Sequence, residues 1–299
     1  MFKKMVIIEP INMLENELNQ LYTYAEQVIA YKDIPSTNEE KIKRIGDADS
    51  VLLSYTSTLD GEVLKACPHL KYVGMCCSLY SKESANVDIE VAEALGITVK
   101  GIRDYGDEGV GEYVAYELIN LLQGYHGLKW DDMPRELSSL KCGIVGLGTS
   151  GTLIAETLKF FKCKVSYYSR TRKYAIEEKG ISYMPLHDLL KSCDAIFLAL
   201  NKNVILLHEE EFNLMTGRRI LFNTSIGPGH DVDALKKWVK EDKHFFFCDT
   251  INAFGDDTLF DYPNCKTINR SAGGKSKEAY IRLGEKVLAN IDAYFHSSK

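Results

Sequence analysis

Hydrophobic positions along this chain follow two periods in turn. Short runs rich in β-branched and aromatic residues, at 5–9, 50–55, 71–76 and 97–100, are separated by stretches in which apolar residues recur at helical spacing. A second series of runs follows at 141–146, 164–168, 194–200, 219–224, 244–248 and 266–268. Strand-sized runs alternating with helical pattern predict parallel sheets with crossover helices, because a parallel connection has to travel back along the sheet. Between the two series, Val114, Leu118, Leu121 and Leu122 repeat at helical spacing within 111–124, long enough to pass from one lobe to the next. Beyond Gly274, Tyr280, Leu283, Val287, Ile291 and Tyr294 form another helical stripe, expected to return to the first lobe. The pattern predicts an α/β chain of two doubly wound, parallel-sheet domains, one of 1–103 plus 274–299 and one of 104–273, with a ligand cleft between them.

At 299 residues the chain has room for two cores rather than one. Its 45% hydrophobic and 26% charged residues are those of a globular protein, which excludes a disordered or fibrous chain. A formal net charge of -6 gives no general attraction for nucleic acid or an anionic membrane surface, so neither is expected as a partner. No apolar run approaches the roughly 20 residues of a membrane-spanning helix. Met1-Phe2-Lys3-Lys4 leads straight into a strand-like run instead of a signal-peptide core, so a cytoplasmic location is expected. The eight cysteines include no C-x-x-C pair and no zinc-like spacing; they are read as reduced, buried thiols, and no metal is expected.

The segment Gly143-Ile144-Val145-Gly146-Leu147-Gly148-Thr149-Ser150-Gly151 places G-x-G-x-x-G between a strand-like run and a helical stripe of Leu153, Ile154, Ala155, Leu158 and Phe161. In that context Gly146 allows the tight turn, Gly148 lets backbone approach a pyrophosphate, and Gly151 permits close helix–strand packing. The helix start, with Thr149 and Ser150, offers N–H groups and the positive end of the helix dipole to the phosphates. A Rossmann dinucleotide site is therefore predicted in the second domain.

The next strand-like run ends in Tyr168-Ser169-Arg170-Thr171-Arg172-Lys173, where an NAD site usually places Asp or Glu on the adenosine ribose. Without that carboxylate there is no repulsion toward a 2′-phosphate; Ser169 can donate a hydrogen bond to it and Arg170 or Arg172 can pair with it. NADP(H) is the expected cofactor, with NAD as the alternative.

The order of segments resembles the D-isomer-specific 2-hydroxyacid dehydrogenase family from about residue 50 to 273. Leu70-Lys71-Tyr72-Val73-Gly74 and 86–99 are similar to the family's substrate-lobe stretch, and Val110-Gly111-Glu112 to the start of its long interlobe helix. Ile220-Leu221-Phe222-Asn223-Thr224-Ser225, Phe247-Cys248-Asp249 and 259–273 resemble its later strand ends. The resemblance implies two Rossmann-like domains, the first a flavodoxin-like substrate domain, and a homodimer built on the interlobe helix. It also implies hydride transfer between a nicotinamide cofactor and a small hydroxy or keto compound. Asn201, Thr224, Ser225 and Asp249 join the glycine turn as cofactor-binding candidates, Asp249 near the nicotinamide.

Family members use an Arg that clamps the substrate, a His that delivers the proton and a Glu that tunes the His. The matching positions here hold Ile226 for the Arg and Arg270 for the His, and the loop after Asp249 carries no matching carboxylate. A guanidinium can stabilise a developing oxyanion but is a poor proton donor at neutral pH, where an imidazole titrates. Arg270, Asp249 and His230 are the catalytic candidates, His230 because it follows Gly227-Pro228-Gly229 in a loop expected to face the cleft. Arg103, Asp104 and Tyr105 are read as a hinge, with Tyr105 as an alternative phenolic proton donor or substrate contact, and Cys76, Cys77 and Ser78 as packing. Two functions follow: an oxidoreductase with altered catalytic residues, or an NADP(H)-binding sensor that has given up the chemistry.

Overall fold

A computed structural model describes residues 1–241 and 243–297. The backbone divides into two units, one of Met1–Gly106 with the chain from Ser276 onward, the other of Asp107–Lys275.

The first unit holds β1 (Phe2–Ile7), β2 (Ala25–Ala30), β3 (Ser50–Leu53), β4 (Tyr72–Ser78) and β5 (Thr98–Ile102) in the order β2-β1-β3-β4-β5. All its pairings are parallel, the doubly wound order of flavodoxin-like sheets. All four residues of β3 are buried, which is why the run is uninterrupted by polar residues in its apolar centre. Val51 and Leu53 pack into one layer while Leu52 joins Met5 and Tyr72 in the other, as strand alternation requires. That second layer is closed by Leu283, Val287, Leu288 and Ile291 of the helix Lys277–Ser297. The hydrophobic pattern did not disclose β2: as an edge strand it leaves Glu26 and Gln27 exposed, and its apolar signal shrinks to the pair Val28 and Ile29.

The second unit holds β6 (Lys141–Val145), β7 (Lys164–Tyr168), β8 (Ser182–Tyr183), β9 (Ala195–Leu198), β10 (Arg219–Asn223), β11 (His244–Cys248) and β12 (Cys265–Thr267). Their order is β12-β11-β10-β9-β6-β7-β8, again wholly parallel. The order reverses between β6 and β9, where Val145 pairs with Leu198; ligands of doubly wound sheets bind beyond the carboxyl ends of strands at such a switch point. Beneath it, Phe197, Phe222 and Phe247 stack across β9, β10 and β11 with ring centroids 5.0 and 4.9 Å apart. They belong to a core shared with the helices Glu108–Gln123 and Thr149–Phe160. With so much aromatic area buried in one layer, the strand ends above it are set on a rigid base. The two-residue β8 is too short to leave a periodic signal.

Candidate functional site

At the end of β6 the chain turns at Gly146, whose φ is 95° and whose N–H donates to the Tyr168 carbonyl at 2.9 Å. A Cβ on Gly146 would lie 2.4 Å from the Ala199 carbonyl oxygen, and one on Gly151 only 2.0 Å from that of Gly146. A Cβ on Gly148 would meet nothing within 4 Å. Two of the glycines are thus demanded by the protein's own packing, and the third faces open space at the start of the helix Thr149–Phe160. That cradle fits a dinucleotide, whose pyrophosphate needs close backbone approach and a helix N-terminus. Thr149 opens the helix, while the Ser150 hydroxyl donates to the Asp107 carboxylate, so the part Ser150 can play toward a phosphate falls to its backbone.

Beyond β7 the ribose turn is more occupied than its sequence suggests. The Ser169 hydroxyl donates to the Thr171 carbonyl at 2.6 Å. Arg172 donates from Nε and Nη2 to both oxygens of Glu177, at 2.7 Å each. The carboxylate holds the guanidinium in its charged form, and Arg172 in turn lowers the Glu177 pKa. Arg170 is exposed and makes no hydrogen bond or ion pair among the described residues.

The ends of β9 to β12 form the other side of the site. Asn201 is exposed just past β9, its carbonyl accepting from Val204 at 3.3 Å. The Thr224 hydroxyl donates to the Leu198 carbonyl at 3.0 Å, and that of Ser225 accepts from the Leu200 N–H at 2.9 Å. Both hydroxyls therefore brace β9 against β10. Their organiser is Asn223, which sequence reasoning missed. It is fully buried, donates to the carbonyls of Gly227 (3.0 Å) and Ala253 (2.9 Å), and accepts from the Ser225 N–H. A polar residue closing the apolar run of β10 was the available signal. Ile226, at the tip of this loop, is 64% exposed.

His230 does not face a cleft. Its imidazole is fully buried, edge-on to Phe246 with centroids 5.2 Å apart, because the backbone at Leu207 and His230 forms a bridge that turns the ring into the core. Neither ring nitrogen completes a hydrogen bond, and burial drives the pKa down to about 4 against the nearby charge of Asp231. A neutral, enclosed imidazole cannot exchange a proton with a ligand, so His230 is withdrawn as a proton donor. Asp249, at the end of β11, is buried and its pKa is raised by desolvation. Its Oδ2 accepts from the Ala272 N–H at 2.9 Å and its backbone carbonyl from the Arg270 N–H at 2.7 Å. Asp249 therefore anchors the loop that presents the exposed guanidinium of Arg270.

Residues 117–265 match the family model described as "D-isomer specific 2-hydroxyacid dehydrogenase, NAD binding domain". The chain is 31% identical over 254 residues to a glyoxylate reductase of Pyrococcus furiosus, covering 77% of this chain and 72% of that one. The chain belongs to the D-isomer-specific 2-hydroxyacid dehydrogenase family. A hydroxypyruvate reductase of Blautia hydrogenotrophica is 28% identical over 283 residues, covering 87% and 86% of the two chains. Among solved structures, an acyclic imino acid reductase in complex with NADPH and D-Arg superposes with a TM-score of 0.80 at 23% identity, over 98% of this chain and 97% of that one, a likeness of fold.

The first unit of this dehydrogenase-family chain carries its own braced loop. Glu9, fully buried past β1, accepts from the Ser54 and Ser57 N–H groups at 2.8 and 3.1 Å and from the hydroxyls of Thr56 and Ser57 at 2.5 and 2.7 Å. Arg103 donates to the Leu79 and Tyr80 carbonyls and covers the Tyr80 ring, while the Tyr105 carbonyl accepts from Arg282. Cys76 and Cys77 are buried thiols with pKa values pushed up by desolvation, Cys77 to about 12, which suits packing rather than nucleophilic chemistry. Among the described residues no cluster of three or more His, Cys, Asp or Glu could hold a metal, and no helix is long and apolar enough to cross a membrane.

Proposed function

We propose that this chain is an NADP(H)-dependent oxidoreductase that interconverts a small 2-keto acid and its hydroxy acid with catalytic groups altered from the family pattern. The observation that carries the reading is the cradle at Gly146, Gly148 and Gly151, where the protein's own atoms fill the space behind two glycines and leave the front of the third open. Gly148, Thr149 and the backbone of Ser150 would hold the pyrophosphate, with Arg170 toward a 2′-phosphate. When bound, the reduced nicotinamide supplies a hydride. Arg270 binds the substrate's carboxylate and steadies the alkoxide oxygen left by hydride delivery, which takes its proton from solvent water, and Asp249 fixes the loop from which Arg270 reaches. Ile226, in place of the family's clamp, gives an apolar wall that favours a substrate with a hydrocarbon side chain. The names of the matched glyoxylate and hydroxypyruvate reductases support a small keto acid as substrate class.

A second reading, an NADP(H)-binding sensor without turnover, is favoured by the burial of His230, which removes the one imidazole proposed as a proton donor. One experiment separates the two: NADPH and NADH binding to purified protein, followed in the same cuvette by cofactor oxidation against keto acids, aldehydes and ketones. Binding with turnover supports the enzyme, tight binding without turnover supports the sensor, and no binding overturns both. In an active enzyme, Arg270→Ala is expected to lower kcat/KM about 100-fold, on the scale of one oxyanion-stabilising group. A homodimer through the helix Glu108–Gln123 belongs to the same proposal, supported by exposed Tyr116 on that helix and by Tyr125 and Phe160 near it. Light scattering that reports a monomer would count against it.

A further inference from the structure

The acidic residue missing from the end of β7 returns from the short helix Tyr174–Glu177. Glu177 takes both donors on one edge of the Arg172 guanidinium, and the rings of Tyr174 and Tyr183 lie 5.1 and 5.3 Å from that group, so it is held on its faces as well as its edge. The pair is tied to the ribose turn itself. Tyr167 donates its hydroxyl proton to Glu177 at 2.9 Å and accepts the Lys173 N–H at 2.6 Å, so moving Glu177 disturbs the backbone that follows β7. A bidentate guanidinium–carboxylate pair is directional, and a phosphate can recruit that edge of Arg172 only by displacing the carboxylate, which also repels it. Ser169 spends its proton on Thr171, and the side chains of Arg170 and Lys173 are the cations of this turn left uncommitted among the described residues.

We propose that Glu177 limits how strongly the site prefers NADP(H): by pairing with the Nε–Nη2 edge of Arg172 it keeps that edge from a 2′-phosphate, which is left to Arg170, and loss of its charge strengthens the preference for NADP(H). The inference rests on the cofactor reading above and adds a residue to it. In the family's usual arrangement a carboxylate at the strand end would contact the ribose directly; here one acts through an arginine, eight residues further on than Ser169. Glu177 is a specificity residue for the adenosine end and has no part in hydride transfer.

The test is calorimetric or fluorescence titration of NADPH, NADH and 2′-AMP into the full chain and into Glu177→Gln. The expected result is a rise of about five- to tenfold in the NADPH:NADH affinity ratio, with 2′-AMP tightening by a similar factor, the scale of one charge-assisted hydrogen bond gained. Adding Arg172→Ala to Glu177→Gln is expected to abolish the gain. An unchanged ratio in Glu177→Gln, or a gain that survives Arg172→Ala, overturns the proposal. If Glu177→Gln does not fold, Tyr167→Phe removes the hydroxyl that orients the carboxylate, and a ratio raised about twofold supports the proposal while an unchanged one opposes it. If the unaltered chain binds neither dinucleotide, the cofactor reading fails first, an outcome distinct from binding with an unmoved ratio.

Discussion

The turn after β6 and the loops after β10 and β11 hold their shapes by opposite means. At the turn, shape depends on atoms that are missing: Gly146 and Gly151 stand where a Cβ would collide with backbone carbonyls. After β10 and β11, shape depends on atoms that are present: Asn223 and Asp249 are buried polar side chains that satisfy four backbone groups between them, at Gly227, Ala253, Ser225 and Ala272. The first kind of loop tolerates almost no substitution and yields a recognisable spacing. The second can vary at its tips while its braces stay in place, and here Ile226 and Arg270 occupy exposed tips above a scaffold of hydrogen bonds.

The largest effect is expected from Gly151→Ala. A methyl group 2.0 Å from the Gly146 oxygen must push backbone against backbone, with no flexible side chain to give way, and a loss of more than about 3 kcal/mol in denaturant unfolding is expected together with loss of dinucleotide binding. A stable, binding-competent variant would mean that the turn is not fixed by packing. Next comes His230. Its pKa is near 6.5 unfolded and about 4 folded, so the fold excludes the protonated ring. Stability is fully present above pH 6.5 and falls as the pH drops toward 4, by about 3 kcal/mol, because only the unfolded chain takes up the proton. His230→Leu should remove most of that slope; His244, also lowered by burial, leaves a smaller one. A slope unchanged by His230→Leu would place the acid sensitivity elsewhere.

Asn223→Ala is expected to cost about 2 kcal/mol, since it strands the carbonyls of Gly227 and Ala253 inside the unit. The comparison sharpens if activity falls too, because the loop carrying Ile226 then depends on a brace that touches no ligand. Unchanged stability would show that water replaces the amide and that the loop is held by packing alone.

This contrast also explains what could be read from the chain. Apolar periodicity disclosed ten strands, the edge strands β5 and β12 among them; β2 escaped because it leaves Glu26 and Gln27 exposed, and β8 because it has only two residues. The glycine turn was legible because a forbidden Cβ leaves a fixed spacing. Asn223, Glu9 and Glu177 were not, since each acts through partners far off in sequence or hidden behind a turn, and an Asn or Glu at such a position looks like any other. His230 misled for the same reason: a loop of Gly-Pro-Gly reads as exposed, and only the bridge to Leu207 shows that the chain dives inward there.

The smallest change in stability, and the sharpest test of the contrast, belongs to Gly148→Ala. Gly148 has φ -81° and ψ -159°, backbone that alanine adopts without strain, and nothing lies within 4 Å of the new methyl. Unfolding free energy should therefore stay within about 0.5 kcal/mol of the unaltered chain. The methyl nonetheless projects over the helix start where a pyrophosphate would rest, so affinity for NADPH and NADH is expected to fall together by at least about tenfold, or about 1.4 kcal/mol. Equal losses for the two cofactors matter, because the pyrophosphate is common to both and the 2′-phosphate is not. Undiminished affinity would mean that the dinucleotide does not approach this glycine, and the open face of Gly148 would then be an ordinary feature of a turn rather than half of a binding site.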